Sequence, residues 1–415
     1  MSIFGSMKTA VSGMNAQANR LSVVSDNISN SNTTGYKTAS TSFSSLVLPS
    51  GNGNYTSGGV STSVRYSVTD QGDLTYTTSN TDLALQGNGF FVVQDASGKN
   101  YLTRAGDFTK AANGDLVNSA GFTLMGYPYT SGTPSVVVNG FGNLTPINVA
   151  SFGLTATAST TATFQGNLDD GATPVTGDLP SSNSATSETT KKTSLAVIDD
   201  KGNSELYDFY FTKTADNTWE VAAYKQADAA TGGTSSFPYS SSAAMTGTLT
   251  FDSSGALVSG GSQTLTDGTQ SISVDFSSFT ELGTTTSVTG TADGKAASAI
   301  QGVEIGSDGV VYASYANGDS KPLYRIPLAT VESPDNLTLE TGNVYSQSAD
   351  SGALSTGFPG DSTFGTIQSG ALESSNVDLA GQLTDMIQAQ RTYTANSKVF
   401  QTGSDLMDVL VNLVR

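Results

Sequence analysis

The chain has 415 residues, room for two or three domains of ordinary size. Charged residues make up 13%, against about 25% in an average globular chain, and the net charge of -18 opposes binding to nucleic acid or anionic lipid. His and Cys are absent, which removes the commonest general base, the commonest metal ligand, the thiolate nucleophile and every disulfide, so the reading is of a protein that is not an enzyme and needs no cofactor.

From the N-terminus, Ile3, Met7, Ala10, Met14, Gln17, Leu21, Val24 and Ile28 recur at intervals of four and three. That spacing predicts an amphipathic helix over about residues 3 to 28. Met7, Met14, Leu21 and Ile28 hold one heptad core position, and Ile3, Ala10 and Val24 the other. Asn30, Asn32, Thr33, Thr34 and Gly35 stop the helix, because Asn and Gly tolerate the left-handed conformation. The opening run MSIFGSMKTAVSGM lacks a basic region and a continuous apolar segment, so no cleavable signal peptide is expected there. No stretch of about 18 apolar residues predicts a membrane span.

The helical segment is assigned to residues 1–36, followed by a Gly- and Ser-rich extended connector over 37–71. Residues 72–146 and 300–345 are richer in aromatic and aliphatic side chains and read as the two parts of an inner β domain. The Thr-, Ser- and Gly-rich stretch 147–299 reads as an outer β domain inserted into it. Hairpin turns opened by Asp or Asn place Gly98, Gly114, Gly202, Gly255 and Gly309 where a positive φ is needed. In the strand around Tyr207, Phe209 and Phe211, aromatics alternate with Asp208 and Tyr210, as expected of a face packing a core.

Residues 346–372 read as a second connector, and 373–415 as a second long helix. There Leu379, Leu383, Met386, Gln390, Tyr393, Ser397, Phe400, Ser404, Met407, Val411 and Val414 alternate at four and three. Ser374, Ser375 and Asn376 are candidate caps, and Asp378 suits the first turn. The fold class is therefore a mainly β multidomain protein with nested, inserted antiparallel β domains. Its long N- and C-terminal α-helices form a coiled-coil-like core domain. Apolar stripes on helices this long need a partner surface, which either the other helix or a neighbouring copy supplies.

Catalytic and ligand motifs carry little. Asp169 with Asp170 and Asp199 with Asp200 sit in polar turns before Gly. Gly87-Asn88-Gly89 is followed by Phe90, Phe91, Val92 and Val93 where a dinucleotide loop needs a helix.

Several runs carry a family resemblance. Asn27-Ile28-Ser29-Asn30-Ser31-Asn32-Thr33-Thr34-Gly35-Tyr36-Lys37 resembles the motif after the N-terminal helix of bacterial flagellar rod and hook axial proteins. Leu85-Gln86-Gly87-Asn88-Gly89-Phe90-Phe91-Val92-Val93, Tyr101-Leu102-Thr103-Arg104-Ala105-Gly106 and Leu116-Val117-Asn118 are similar to the start of their first β domain. Leu372-Glu373-Ser374-Ser375-Asn376-Val377-Asp378-Leu379 and Met386-Ile387-Gln388-Ala389-Gln390-Arg391 resemble the entry and body of their C-terminal helix. One departure is Ser333-Pro334-Asp335-Asn336-Leu337, where the family reads closer to N-P-x-G-L. Rod members generally lack a long insert, so the resemblance is to the hook members.

The resemblance implies subunits stacked into a curved extracellular tube, a universal joint that transmits motor torque to the filament. Terminal helices would line the channel and the β domains would lie outside. The implied partners are further copies in a helical homopolymer, the flagellar rod, hook cap and hook-filament junction proteins, and the flagellar export apparatus, with no nucleic acid and no membrane. Export through that apparatus would need no cleavable signal peptide. The assembly interface is then expected at Ile3, Met7, Met14, Leu21, Val24, Ile28, Leu379, Leu383, Met386, Tyr393, Phe400, Met407 and Val411, with Asn27, Asn30, Asn32, Thr33, Gly35 and Tyr36 as a rigid exit from the first helix. The alternatives are a distal rod or junction subunit of the same family, or a secreted β-rich carbohydrate-binding adhesin.

Overall fold

The computed structural model describes residues 3–47, 57–130, 132–150, 153–231, 235–361 and 363–413, and Val414 of the expected stripe lies outside them. The chain forms two compact units, one of residues 1–152, 302–314 and 320–415, the other of 153–301 and 315–319.

The first unit begins with helix α1 (Ile3–Ser29). Strands Ala39–Val47 and Ser57–Tyr66 follow as an antiparallel hairpin, with Ala39 opposite Tyr66 and Phe43 opposite Thr62. A connector was expected here. Ser, Thr and Gly outnumber apolar residues in both strands, which weakens the apolar alternation that would announce them, yet Thr favours the pleated backbone and pairing satisfies the backbone polar groups. The hairpin packs on α1: Ser12 Oγ accepts from Val60 N at 2.9 Å, and Asn19 Nδ2 donates to Thr62 Oγ1 at 3.0 Å.

The β part of this unit centres on strand Phe90–Gln94, which pairs with Asn100–Thr103, Thr123–Pro128 and Leu328–Val331. Its run Phe90, Phe91, Val92, Val93 is buried at every position, because both faces of the strand are covered. Phe90, Val92, Leu102, Met125, Val331 and Tyr345 form the core on one side. Residues 346–372, also expected as a connector, contribute short strands instead. Leu354–Gly357 pairs with Leu328–Val331, Thr366–Ser369 with Leu83–Gln86, and Ala371–Glu373 with Leu74–Tyr76. Helix α2 (Leu379–Leu413) starts later than 373, since Glu373 ends a strand and Asp378 Oδ1 accepts from Ala380 N at 3.0 Å as the cap.

The second unit packs two sheets face to face. One is a five-stranded antiparallel meander of Lys191–Ile198, Ser204–Ala215, Thr218–Lys225, Met245–Phe251 and Leu257–Ser259. The other holds Ser262–Asp267, Gln270–Leu282, Thr161–Asp169 and Ser287–Ala292 in that order. Thr161–Asp169 runs parallel to Gln270–Leu282, a departure from the all-antiparallel expectation. Parallel neighbours need a long crossover, and the whole five-stranded sheet, which lies between them in sequence, supplies it.

Phe164, Phe209, Phe211, Trp219, Phe276 and Phe279 fill the space between the sheets. On the outer face Tyr210, Tyr224, Phe237 and Tyr239 form a second cluster, so the Tyr207 strand is buried on both sides. Asp208 is inside this cover, where Ser194 Oγ and Tyr239 OH donate to it at 2.7 Å and Lys192 Nζ lies 2.7 Å away. Burial opposes its ionisation, but Lys192 and the two hydroxyls outweigh that and hold its pKa below the ordinary carboxylate value. The five glycines expected in turns all have φ between 79° and 93°. In three of the turns Asp95, Asp199 and Asp252 fold back onto the backbone, accepting from Ser97 N, Lys201 N and Ser254 N.

Candidate assembly surface

The two terminal helices meet as an antiparallel pair. Gly403 lies against Met7, where an added Cβ would come within 2.6 Å of Met7 Cγ, and Gly13 lies against Asn396, where it would come within 2.7 Å of Nδ2. Further along, Arg20 Nη2 bonds Asp385 Oδ1 at 2.8 Å and Asn27 Nδ2 bonds Gln382 Oε1 at 2.9 Å. On α2 the contact row Gln382, Ala389, Asn396 and Gly403 is spaced by sevens, with Ala389 and Gly403 buried. Small and polar residues therefore carry the α2 side of the seam, and Met7 of the α1 stripe packs against them.

The stripe lies beside this seam. Val24 is buried, whereas Ile3, Met7, Met14, Leu21, Ile28 and Met386 are half-buried. Leu379, Leu383, Tyr393, Phe400, Met407 and Val411 are exposed, Leu383 at 47% and Val411 at 62%. Leu406, Val409 and Leu410 are exposed as well, because α2 runs ten residues past Gly403 while α1 has only four before Met7. So many large apolar side chains on one helix exceed the scattered exposure of an ordinary monomer surface.

The turn leaving α1 is fixed by Asn27, which is fully buried and uses both ends of its amide. Nδ2 donates to Ala39 O at 2.8 Å as well as to Gln382, while Oδ1 accepts from Ala39 N at 3.0 Å and from Tyr36 OH at 3.1 Å. Asn30 Oδ1 accepts from Thr33 Oγ1 at 3.1 Å, and Thr33 O accepts from Tyr36 N at 3.2 Å. Gly35 has φ +65°, its N–H donates to Glu373 O at 2.7 Å, and an added Cβ would sit 2.6 Å from the Arg104 carbonyl carbon. Asn32 is exposed. Burial, then the Asp26 charge, raise the Tyr36 pKa.

A buried ion cluster that sequence reasoning passed over ties this turn to the start of α2. Glu373 Oε1 lies 2.5 Å from Lys37 Nζ and accepts from Gly72 N at 3.0 Å, while Oε2 lies 3.2 Å from Arg104 Nη1. None of the three side chains is more than 4% exposed. Burial pulls the Lys37 pKa down and Glu373 pulls it back up, with burial prevailing. Asn376 adds a second tie, accepting from Thr38 N at 2.7 Å and donating to Ser67 O at 3.2 Å and Asp70 O at 3.1 Å. A signal was present: Lys37, Arg104 and Glu373 each stand inside one of the runs that resemble the axial-protein motifs, in a chain with few charges. The departing run near Ser333 forms a 3-10 turn at Pro334–Asn336, whose Asp335 accepts from Thr69 N at 3.0 Å.

Four family models cover most of the chain. They are the flagella basal body rod protein (residues 7–37), the flagellar hook protein FlgE/F/G D1 domain (84–161), the flagellar basal body protein FlaE D2 domain (167–305) and the flagellar basal body rod FlgEFG protein C-terminal (368–413). The flagellar hook protein FlgE of Rhizobium meliloti is 51% identical, with all of both chains covered. The chain belongs to the flagellar hook protein family. Similar relatives include the hook protein FlgE of Brucella suis, 48% identical over all of both chains, and that of Salmonella typhimurium, 34% identical over 98% of this chain and 100% of the relative. As a hook-family member the chain is a structural subunit of the flagellum. The D1 and D2 matches fall on the β body, the rod and C-terminal matches on the two helices.

Proposed function

We propose that the chain self-assembles into the tubular hook by burying the apolar stripes of α1 and α2 against neighbouring copies. The observation that supports this is the pairing of the helices through Gly13, Ala389, Asn396 and Gly403, which leaves Leu379, Leu383, Tyr393, Phe400, Met407 and Val411 exposed. Burying such side chains stabilises contacts by roughly 1.5–3 kcal/mol each. The role is mechanical and no residue is catalytic, in keeping with a chain that has neither His nor Cys. The rigid exit at Asn27, Asn30, Asn32, Thr33, Gly35 and Tyr36, locked by Glu373, passes torque from the helices into the β part of the same unit. The working location is extracellular, reached by flagellar export without a cleavable signal peptide, with rod, hook cap and hook-filament junction proteins as partners at the ends of the tube.

Leu383→Glu with Phe400→Glu tests the reading. Both positions are exposed in the monomer, so the unfolding midpoint stays within about 0.5 kcal/mol of the wild-type value. Sedimentable polymer, expected of the wild-type chain at high concentration, is lost. A doubly charged variant that polymerises like wild type overturns the proposal.

A further inference from the structure

The core between the two sheets of the second unit encloses a pair of charges. Lys213 continues the inward row Tyr207, Phe209 and Phe211 along its strand, and Glu281 follows Phe279 on the facing sheet. Each of the two side chains is 1% exposed. Lys213 Nζ lies 3.2 Å from Glu281 Oε1, and Trp219 Nε1 donates to the same oxygen at 3.0 Å. Glu281 Oε2 is buried and meets no donor among the described residues. Asp170, which is exposed, touches the pair from the solvent side: its backbone O accepts from Lys213 Nζ at 2.5 Å, and its Oδ1 lies 3.5 Å from the same nitrogen. An ion pair alone leaves Oε2 unexplained, because a buried carboxylate oxygen without a donor is costly.

The arrangement holds every part of an amide-forming reaction. In surroundings of low dielectric, passing a proton from the ammonium to Oε2 replaces two desolvated charges by a neutral amine beside a carboxylic acid. The Nζ lone pair then attacks Glu281 Cδ, one bond from the oxygen it already touches. Charge develops on Oε1, where the Trp219 N–H stands ready to meet it. Asp170 Oδ1 takes the proton that Nζ sheds and returns it to Oε2. The Cδ–Oε2 bond breaks, one water leaves past the exposed Asp170, and a C–N bond remains; nothing is oxidised or reduced.

We propose that Lys213 and Glu281 condense into an intramolecular amide, with Asp170 relaying the proton and Trp219 steadying the developing oxyanion. It is one self-limiting step within the chain, not turnover of a substrate. The bond would tie strand Ser204–Ala215 to strand Gln270–Leu282, and so one sheet of the second unit to the other. The test is the intact mass of the folded full-length chain, incubated and then denatured. Wild type should be lighter than its sequence by one water, trypsin should no longer cleave after Lys213, and the peptides holding Lys213 and Glu281 should be recovered joined. Lys213→Arg keeps a cation in place but cannot condense, and should show the full sequence mass. Asp170→Asn, at an exposed position, should keep the native Trp219 emission and also stay at full mass. Wild type at its full sequence mass overturns the proposal. So does a Lys213→Arg chain that is equally light, since the water then left from elsewhere, or a cross-link that maps to the Asp170 side chain instead of Glu281. Asp170→Asn as light as wild type overturns the relay.

Discussion

Replacing Glu373 by Gln keeps the shape of the side chain and removes its charge, leaving Lys37 and Arg104 as two buried cations without a counter-ion. Lys37 Nζ is 2.5 Å and Arg104 Nη1 3.2 Å from the carboxylate, and the three side chains are at most 4% exposed, so little solvent enters to screen the loss. Breaking a buried pair by removing one partner costs about 3–5 kcal/mol. With a urea slope of about 2–3 kcal/mol per molar for a unit of this size, the midpoint should fall by roughly 1–2.5 M. Pulsed hydrogen exchange on peptides from residues 83–128 reads the first unit, and the fluorescence of Trp219, the one tryptophan of the chain, reads the second. The first transition should move and the second should not. Adding Lys37→Met should recover part of the loss, because one stranded cation is gone. A shift below about 1 kcal/mol, or equal shifts in both units, would refute the view that the carboxylate holds this junction.

Three further substitutions probe other positions. Gly35→Ala forces a side chain into φ +65° and against the Arg104 backbone, so it should destabilise the first unit by at least about 1–3 kcal/mol, whereas Gly98→Ala, with open space around it, should cost only the smaller conformational penalty; thermal melts compare them. For Asp293, desolvation pushes the carboxyl up, but N–H groups of Thr160 and Thr161 at 2.9 and 3.0 Å and their hydroxyls at 2.7 and 3.0 Å outweigh it and hold the pKa at about 2. A depressed carboxylate contributes stability above its unfolded value of 3.8 that is lost as pH falls towards 2. Asp293→Asn should therefore flatten the decline of the Trp219 transition between pH 4 and pH 2, and an equally steep decline in the variant would remove Asp293 from the account.

The mainly β class, the two terminal helices and the glycine turns were legible because each depends on near neighbours. A helix shows its period of four and three, and Gly98 or Gly309 marks a turn whatever lies around it. The pairing of strands Ala39–Val47 and Ser57–Tyr66 was not legible, since both mix Ser, Thr and Gly with a few apolar residues, of which Phe43, Leu46 and Val64 stay exposed. The parallel placement of Thr161–Asp169 was hidden for another reason: its partner strand lies more than a hundred residues on, and the period of a strand says nothing of direction.

The terminal helices divide the same way. Sequence alone determined that they exist, where their apolar stripes run and to which motifs they belong, because helical period and turn chemistry are local. Tertiary structure alone decided that the helices join through Gly13, Asn396, Ala389 and Gly403 and leave most of the α2 stripe exposed, and that Glu373 gathers Lys37 and Arg104. Both outcomes depend on which distant residues come within a few ångströms, where close packing and unscreened charge act, and no local pattern records that distance.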